Sequence, residues 1–431
     1  MVKKLFPTLL SVLLSVGMLS GCGKSSMSTD ASKASSSDEA SQKTMDIEFW
    51  HAMSGGTGDL IQQLVDDYNA SQSAVHVEAI YQGDYTTEGT KIQAAVASGN
   101  APQIAQLEIG RIGMYAEAGA LVDLKSYVKR DDYNIDDYYK GILDYSYYDD
   151  ALIALPEGRS MPVLYYNADL FKSAGVSAPS TWDELKSAAT ILTRDGKYGY
   201  SCPIDPWYYL GLVITAGGQI YNEEGNGIGF NNESGAKPLY LWRDMIGAGT
   251  MYIPEGQDYN SSAACRNVFI AGTTAMIMQS CAQYKNLVNN CKFKVGVAYI
   301  PKEVTYSAIP GGSNFVMFTG SSEEKENAAW EFLKYMTSTE TSARFSVGTG
   351  YLPPRKSILE TDTYKSALEK YPLLDVAVGQ LDYFVNSPFD EAYAEVKDTI
   401  VTNAIQACII NGVSPEDTVK TIADKTASLY K

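Results

Sequence analysis

The residues of this 431-residue chain that could do chemistry are mainly carboxylic acids and tyrosines. The sequence holds 51 Asp and Glu and 31 Tyr, but only two histidines, His51 and His76. Two histidines make a multi-histidine metal site, or a catalytic site built on histidine, difficult to assemble. The motifs G-x-S-x-G and H-E-x-x-H and a phosphate-cradling glycine loop are also missing from the sequence. We therefore expect no catalytic residues, no bound metal and no cofactor.

Pairs of carboxylic acids are the remaining route to catalysis. A glycoside hydrolase needs two carboxylates roughly 5–10 Å apart across the bond that it breaks, and Glu108 and Asp205 form one candidate pair. The chain has many acids, however, and no sequence feature links these two in particular. A glycoside hydrolase is therefore the weaker alternative to a protein that binds its ligand unchanged.

The aromatic residues are predicted to differ in exposure. We expect Trp207-Tyr-Tyr209 in an exposed loop. Trp182, Trp242 and Trp330 lie at helical spacing among apolar residues and are predicted to belong to the core.

Charge and composition exclude other classes of protein. The net charge of −17 and the pI near 4.6 argue against nucleic-acid binding, which needs clustered basic residues. The many aromatic residues exclude a chain that is disordered throughout, and the length predicts two or three domains. The cysteines Cys202, Cys265, Cys281, Cys291 and Cys408 are odd in number and contain no C-x-x-C motif. We expect mostly buried free thiols, with a Cys281–Cys291 pair left open.

The amino terminus has the pattern of a targeting segment. Two lysines precede an apolar stretch that is too short to span a bilayer, and Leu19-Ser-Gly-Cys22 matches the lipobox of bacterial lipoproteins. Residues 1–21 are therefore predicted to be a signal peptide, Cys22 the lipidated residue, and 22–44 a Ser-rich tether. We expect the protein at the extracellular face of the cytoplasmic membrane, held by lipid.

Strands and helices alternate beyond the tether. Strands are predicted at 46–50, 75–81 and 103–107, with helices after the Gly-rich turn 54–58 and over 85–98. This pattern predicts an α/β fold, in which ligands usually bind where strands end.

Helix starts and ends are marked further along the chain. A strand is expected at 162–166, capping boxes at Thr181–Glu184 and Ser321–Glu324, and two helices at the carboxyl terminus, the first through 396–408 and the second from Ser414. No long linker interrupts the chain after residue 44, so we expect the domains to interweave.

Several segments, in this order, resemble the extracellular solute-binding proteins (family 1) of ABC importers, and most closely the carbohydrate and glycerol-3-phosphate binders. The segments are Phe49-Trp-His51, Tyr81-Gln-Gly-Asp-Tyr85, Ser98-Gly-Asn-Ala-Pro102, Ser160-Met-Pro-Val-Leu-Tyr-Tyr-Asn167, Thr181-Trp182, Gly272-Thr-Thr-Ala-Met276, Pro310-Gly-Gly312 and Gly348-Thr-Gly-Tyr-Leu-Pro353. Together they cover nearly the whole chain after the tether.

The resemblance implies a two-lobed, type II periplasmic-binding-protein-like α/β fold with hinge strands between the lobes and a C-terminal helical region. Lobe one would comprise residues 45–157 and 310–350, and lobe two 158–309 and 351–431. The implied function is to capture a carbohydrate or polyol between the lobes of a monomer, without catalysis, and to deliver it to the transmembrane permease subunits. Binding of glycerol-3-phosphate or of a glycerophosphodiester by the same mechanism is the alternative.

The resemblance also implies the ligand-binding residues. They are Tyr85, Glu108, Ser160, Trp207, Ser280, Gly312 and Tyr351. Trp50 and His51, at the end of the first strand, are further candidates for the cleft. The chain departs from the glycerol-3-phosphate branch at two positions. The stacking tryptophan of that branch aligns with Ile204 of this chain, and the phosphate-binding arginine of that branch aligns with Lys397 or Asp398. A phosphate prefers a guanidinium group, so the departure favours a neutral saccharide or polyol.

Overall fold

The computed structural model describes residues 44–388 and 390–430, so the predicted signal peptide, Cys22 and all of the tether but Thr44 lie outside the described residues. The strands are β1 (Met45–His51), β2 (Val75–Tyr81), β3 (Ile104–Glu108), β4 (Tyr147–Tyr148), β5 (Ala151–Leu152), β6 (Leu155–Ser160), β7 (Pro162–Asn167), β8 (Tyr198–Ser201), β9 (Met251–Tyr252), β10 (Thr274–Ser280), β11 (Val295–Ala298) and β12 (Gly311–Met317). Within this part of the chain, no helix is both long and apolar enough to cross a bilayer.

Helices flank the strands along the whole sequence. They are α1 (Gly55–Ser71), α2 (Tyr85–Ala97), α3 (Ile112–Glu117), α4 (Lys125–Arg130), α5 (Lys140–Leu143), α6 (Ala168–Ala174), α7 (Trp182–Leu192), α8 (Pro206–Thr215), α9 (Glu233–Gly247), α10 (Ser262–Ile270), α11 (Tyr284–Asn290), α12 (Glu323–Met336), α13 (Thr339–Thr349), α14 (Asp362–Lys370), α15 (Leu374–Gly379), α16 (Glu391–Glu395), α17 (Thr402–Ile409) and α18 (Pro415–Leu429). A π-helical segment, Val396–Val401, joins α16 to α17.

Two five-stranded sheets organise the fold. Sheet one has the order β2-β1-β3-β12-β6, with β1 parallel to β2 and β3 and with β12 antiparallel to β3 and β6. Sheet two has the order β11-β7-β10-β8-β9. The chain leaves sheet one after Ser160, builds sheet two, and returns to sheet one at Gly311. This double crossing is the interweaving that the missing linker predicts, and the two-lobed α/β fold is confirmed.

The two sheets have separate apolar cores. Under sheet one, the ring of Phe49 lies 5.7 Å from that of Phe315 and 5.6 Å from that of Phe332. Trp330 belongs to the same core, whereas Trp182 and Trp242 are buried against sheet two. The prediction that these three tryptophans are core residues is therefore confirmed.

The proposed lobe boundaries remain a proposal, and one of them falls inside a strand. Sheet one extends past residue 157, because Gly158 to Ser160 still pair with β12. Within the segment 352–377, five apolar residues pack against sheet two (Leu352, Ala367, Tyr371, Leu374 and Ala377), whereas Ile358 and Tyr364 pack with Ala343 of α13. The helices α17 and α18 also pack against sheet two.

Two local predictions are wrong, one about a turn and one about a helix cap. The glycines expected in a turn at 54–58 form the first turn of α1, which begins directly after Ser54. The cap of α12 is Ser322 rather than Ser321, since the Ser322 hydroxyl accepts the Lys325 backbone N–H at 3.4 Å. Ser321 instead accepts a hydrogen bond from the side chain of Gln103 at 3.4 Å.

Other local expectations hold. The capping box at Thr181 and Glu184 is present as expected. Among the described residues, the five body cysteines are unpaired, and four of them are buried while Cys291 is half-buried.

Candidate functional site

A cleft of about 680 Å³ lies where strand ends of the two sheets meet. Its volume is that of an ordinary small-molecule site. All seven residues predicted from the resemblance line it: Tyr85, Glu108, Ser160, Trp207, Ser280, Gly312 and Tyr351. Trp50 and His51 do not line it, and Ala52 and Met53, just after β1, do so instead. His51 turns into the protein, where burial lowers the pKa of its imidazole to about 4.

Sheet one contributes residues from strand ends and from a helix start. Glu108 is the last residue of β3, and Tyr85 is the first of α2, whose cap Asp84 accepts the Thr87 backbone N–H at 2.8 Å. Gly312 lies at the start of β12 with a φ of 104°, and a Cβ there would come within 2.3 Å of the Gly158 carbonyl oxygen. Only glycine fits at this crossing.

Trp207 enters the cleft from a helix and not from the loop that the sequence predicts. It lies in the first turn of α8, where the cap Asp205 accepts its backbone N–H at 2.9 Å. Its indole N–H donates to the Pro310 carbonyl at 3.2 Å, and its ring lies against Gly311, where a Cβ would be 3.0 Å away. The expectation of exposure for 208–209 is wrong, because α8 is apolar on all sides and buries both tyrosines.

A chain of hydrogen bonds runs from the cleft into sheet one. The Tyr85 hydroxyl donates to the Ser313 hydroxyl at 3.3 Å, and Ser313 donates to the Glu157 carboxylate at 2.6 Å. Burial raises the pKa of Tyr85 and raises that of Tyr351 to about 12, so both present neutral hydroxyls. Tyr351 is held by stacking on Phe345, with ring centroids 5.6 Å apart.

Two serines come from the strands that border the crossings. Ser160 ends β6 and is buried, and a Cβ on Gly311 would lie 2.9 Å from its hydroxyl oxygen. Ser280 ends β10, and its hydroxyl accepts the Ala282 backbone N–H at 3.3 Å. Ser280 therefore caps the following turn while it also faces the cleft.

Ion pairs join the two sides of the cleft. The ammonium of Lys397 lies 3.2 Å from the carboxylate of Glu108 and 3.7 Å from that of Asp398. Arg111, three residues after Glu108, pairs with Asp398. Burial lowers the pKa of Lys397, but the carboxylates of Glu108 and Asp398 outweigh this effect and raise it.

Arg111 was not identified from the sequence. Its position one turn beyond the end of β3 is the signal that could have found it. The sequence left open whether Lys397 or Asp398 occupies the position of the phosphate-binding arginine. Both residues lie in the π-helical segment, whose register the helical pattern of the sequence does not reveal.

The candidate hydrolytic pair also lies in the cleft. Glu108 is engaged by Lys397, and Asp205 caps α8, with a pKa raised to about 6 by burial. Each carboxylate thus has a structural partner. Among the described residues, no group of three or more His, Cys, Asp or Glu side chains is arranged to hold a metal ion.

A second groove, of about 860 Å³, lies at the opposite ends of β1 and β2. Asp46, Glu78 and Lys325 line it, and none of the seven predicted residues does. We therefore place the functional site in the interlobe cleft, where aromatic and polar groups from both sheets converge.

The fold and the cleft define a binding protein whose ligand lies between two lobes, and comparison with known proteins identifies the family. The profile described as bacterial extracellular solute-binding protein matches residues 63–372. The sn-glycerol-3-phosphate-binding periplasmic protein UgpB of Yersinia enterocolitica is 30% identical over 357 residues, which cover 78% of this chain and 80% of that protein. The chain belongs to the bacterial extracellular solute-binding proteins, and the predicted class is confirmed.

Solved structures agree on the fold. The GacH receptor of Streptomyces glaucescens, described unliganded and with acarbose, superposes with a TM-score of 0.81 at 21% identity and covers 90% of this chain and 100% of its own. UgpB from Mycobacterium tuberculosis in complex with glycerophosphocholine also gives 0.81 at 21% identity, with 90% and 98% coverage.

Proposed function

We propose that this solute-binding protein captures a carbohydrate, either a saccharide or a polyol, in the interlobe cleft and delivers it to the permease of an ABC importer. The observation that carries the proposal is the convergence of Trp207, Tyr85 and Tyr351 with hydroxyl and carboxylate groups in one cleft. The rings offer surfaces for C–H faces, and the polar groups offer partners for hydroxyl edges.

The polar groups matter because each buried hydroxyl of a ligand needs a partner. A hydroxyl buried without one costs about 1–3 kcal/mol. Glu108 is an acceptor, whereas Tyr85 and Ser160 can donate or accept. Such mixed groups suit a ligand with many hydroxyls, and we propose that all seven cleft residues contact it.

Binding between lobes also supports a closing motion. The chain crosses between the sheets at Ser160 and again at Gly311, and two short crossings can act as a hinge. We propose lobes at 45–157 with 310–350 and at 158–309 with 351–431, which close on the ligand without catalysing a reaction. A ligand that contacts both lobes binds the closed form more tightly than the open form, and this difference in affinity shifts the equilibrium toward the closed form.

Phosphorylated glycerol is the second candidate ligand. Relatives are named sn-glycerol-3-phosphate-binding proteins, and a neighbour of the same fold is described with glycerophosphocholine. The GacH receptor, in contrast, is described with acarbose. The identity of the ligand therefore depends on the charges of this cleft.

We also propose that the chain is a lipid-anchored monomer. Removal of residues 1–21 and lipidation of Cys22 would leave a Ser-rich tether before the folded body. Such a tether keeps the binding cleft close to a permease in the same membrane. Mass spectrometry of the protein from its native membrane should show a diacylated Cys22 as the first residue.

The ligand proposal is tested by a thermal-shift screen of the folded body against saccharides, polyols and glycerol phosphates. We expect a neutral carbohydrate to raise the melting temperature and to be recovered unchanged after long incubation. Tyr351→Phe, which removes one cleft hydroxyl, should reduce the rise, whereas Tyr240→Phe on the exposed face of α9 should not. Cleaved product would identify a hydrolase, and no shift with any carbohydrate would refute the proposal.

A further inference from the structure

A chain of hydrogen bonds begins and ends at residues that line the interlobe cleft. At one end, the backbone N–H of Ala52 donates to Oε1 of Gln106 at 3.2 Å, and Nε2 of Gln106 donates to Oε2 of Glu157. The hydroxyl oxygen of Ser313 lies 2.6 Å from that same Oε2, and the hydroxyl oxygen of Tyr85 lies 3.3 Å from Ser313. Ala52 and Tyr85 both line the cleft, so the chain connects two parts of its wall through the protein interior.

The middle of this chain is closed off from water. Gln106 is 0% exposed, Glu157 3% and Ser313 1%. A buried polar group without a partner is costly, so each donor in the chain has to meet an acceptor. The directions of the hydrogen bonds therefore depend on one another.

The backbone fixes the first direction. A peptide N–H can only donate, so the atom of Gln106 that faces Ala52 must be the amide oxygen. The amide nitrogen of Gln106 then faces Glu157, and because an NH2 group can only donate, Oε2 of Glu157 must accept. Ser313 shares that oxygen and must donate its single proton to it.

Tyr85 is left with one arrangement. Since the proton of Ser313 is engaged by Glu157, Ser313 can only accept from Tyr85, whose single proton then points away from the cleft. A tyrosine hydroxyl can in general donate or accept, but this one keeps only its lone pairs for the cleft. Tyr351, whose side chain also interacts with that of Tyr85, and any ligand group beside Tyr85 must therefore donate to it.

Protonation of Glu157 leaves this order intact. Oε1 of Glu157 is buried without a hydrogen-bond partner among the described residues, so it can bind a proton while Oε2 still accepts. The nearby charged groups, Arg159 on β6 and Glu88 on α2, interact with Glu157 through their charges and not by hydrogen bonds. The direction of the chain thus depends on the amide of Gln106 and not on the charge of Glu157.

We propose that Glu157 is a positioning residue for ligand recognition: together with Gln106 it turns the proton of Tyr85 away from the cleft, so that Tyr85 accepts a hydrogen bond from a free hydroxyl group of the ligand. An ether or carbonyl oxygen, which can only accept, finds no donor in Tyr85. This role rests on the proposed function and narrows it to carbohydrates that place an unsubstituted hydroxyl group beside Tyr85.

Neutron crystallography of the deuterated protein in heavy water tests the proposal, because it locates the deuterons. In the wild type, the Tyr85 deuteron should lie between Tyr85 and Ser313, and the Ser313 deuteron between Ser313 and Glu157. Heavy water can donate or accept and is the probe for a ligand hydroxyl, so the water beside Tyr85 should donate to it. A Tyr85 deuteron that points into the cleft would overturn the proposal.

An exchange of the amide and the acid should reverse the chain. In Gln106→Glu/Glu157→Gln, the carboxylate at position 106 still accepts the Ala52 N–H, but the amide nitrogen at position 157 now donates to Ser313. Ser313 should then donate to Tyr85, whose deuteron should turn into the cleft and toward water, at unchanged net charge. A Tyr85 deuteron in the wild-type position in this variant would overturn the role of Glu157.

Two further variants make the result specific. Gln62→Glu/Asp66→Asn is the same kind of exchange at an exposed pair on α1, with the two side chains 2.8 Å apart, and should leave the Tyr85 deuteron in its wild-type position. If the variant exchanged at 106 and 157 does not fold, Ser313→Ala removes the inner acceptor of Tyr85, and the Tyr85 deuteron should turn into the cleft. A deuteron that stays inward would overturn the proposal.

The neutron maps need no carbohydrate. They therefore decide the direction of the chain whether or not a ligand is found. Failure of every carbohydrate in the thermal-shift screen would instead overturn the proposed function.

Discussion

The carboxyl group of Glu157 shows how single residues behind the cleft control its surface. It is 3% exposed and accepts the hydroxyl of Ser313, which in turn accepts the hydroxyl of Tyr85. Burial raises the pKa of Glu157 to about 7, against the lowering effect of its hydrogen bonds from Ser313 and Gln106. Near neutral pH this carboxyl group therefore titrates in the folded protein.

Glu157 makes stability depend on pH in a defined direction. An acid with a higher pKa in the folded state binds more protons there, so its contribution to stability falls as pH rises from about 4.5 to about 7. Glu157→Gln should remove that fall and be more stable than the wild type at pH 8 by up to about 3 kcal/mol, with no difference near pH 4. Urea unfolding at both pH values measures this.

A control variant separates the effect of burying Glu157 from the effect of removing a negative charge. Glu78→Gln removes the same charge at an exposed position of β2 and should not alter the pH dependence. Burial, with a smaller contribution from the charge of Glu157, raises the pKa of Glu88 to about 9, so Glu157→Gln also reduces the fall in stability that Glu88 contributes. A wild type and a Glu157→Gln variant with parallel pH profiles would contradict the assignment.

Trp207 should contribute to affinity through its ring. Trp207→Ala should weaken carbohydrate binding about two- to tenfold, since stacking contributes about 0.5–1.5 kcal/mol, while Trp207→Phe should retain most of the affinity. Calorimetric titration with the carbohydrate found in the screen provides the measurement. Equal affinities for the wild type and Trp207→Ala would remove Trp207 from the site.

At the scale of elements, strand ends and helix starts bring the cleft residues together. The parallel β1, β2 and β3 end at one edge of sheet one, and β12 brings Gly312 back to the same edge. From the other side, α8 and the π-helical segment present Trp207 and Lys397. The return crossing at Gly312 leaves no room for a side chain.

The crossing can be tested by two matched glycines. Gly312 and Gly320 both have positive φ, at 104° and 96°, but a Cβ would clash with the Gly158 carbonyl only at Gly312 and would meet nothing within 4 Å at Gly320. Gly320→Ala should cost about 1 kcal/mol of unfolding free energy, and Gly312→Ala about 3 kcal/mol. Similar losses in chemical denaturation would show that the crossing tolerates a side chain.

At the scale of the whole molecule, two cores connected by crossing strands allow the lobes to move as units. The core of sheet one and that of sheet two are built from different residues, and the ion pairs of Glu108 and Arg111 connect them across the cleft. A ligand that contacts both sides should therefore shift the molecule toward a closed form.

Closure should be visible in solution. Small-angle X-ray scattering should show a smaller radius of gyration with the bound carbohydrate than without it, and Trp207→Ala at the same ligand concentration should show a smaller decrease. An unchanged radius of gyration for a saturated wild type would contradict closure.

Much of this architecture follows from the sequence because local patterns carry it. Alternating apolar residues determine β1 and β2, the Thr181 capping box determines the start of α7, and an ordered set of motifs indicates the family and the seven cleft residues. These features depend on neighbours within a few residues, or on a pattern shared with relatives.

Only the tertiary structure decided which residues meet across the cleft. The contact of Trp207 with Pro310 and the pairing of Glu108 with Lys397 join positions a hundred or more residues apart, and the burial of His51 likewise depends on the packed fold. Burial and charge compensation at such contacts depend on how two sheets pack, because a side chain's solvation and electrostatic partners are set by distant segments and not by its neighbours in the chain.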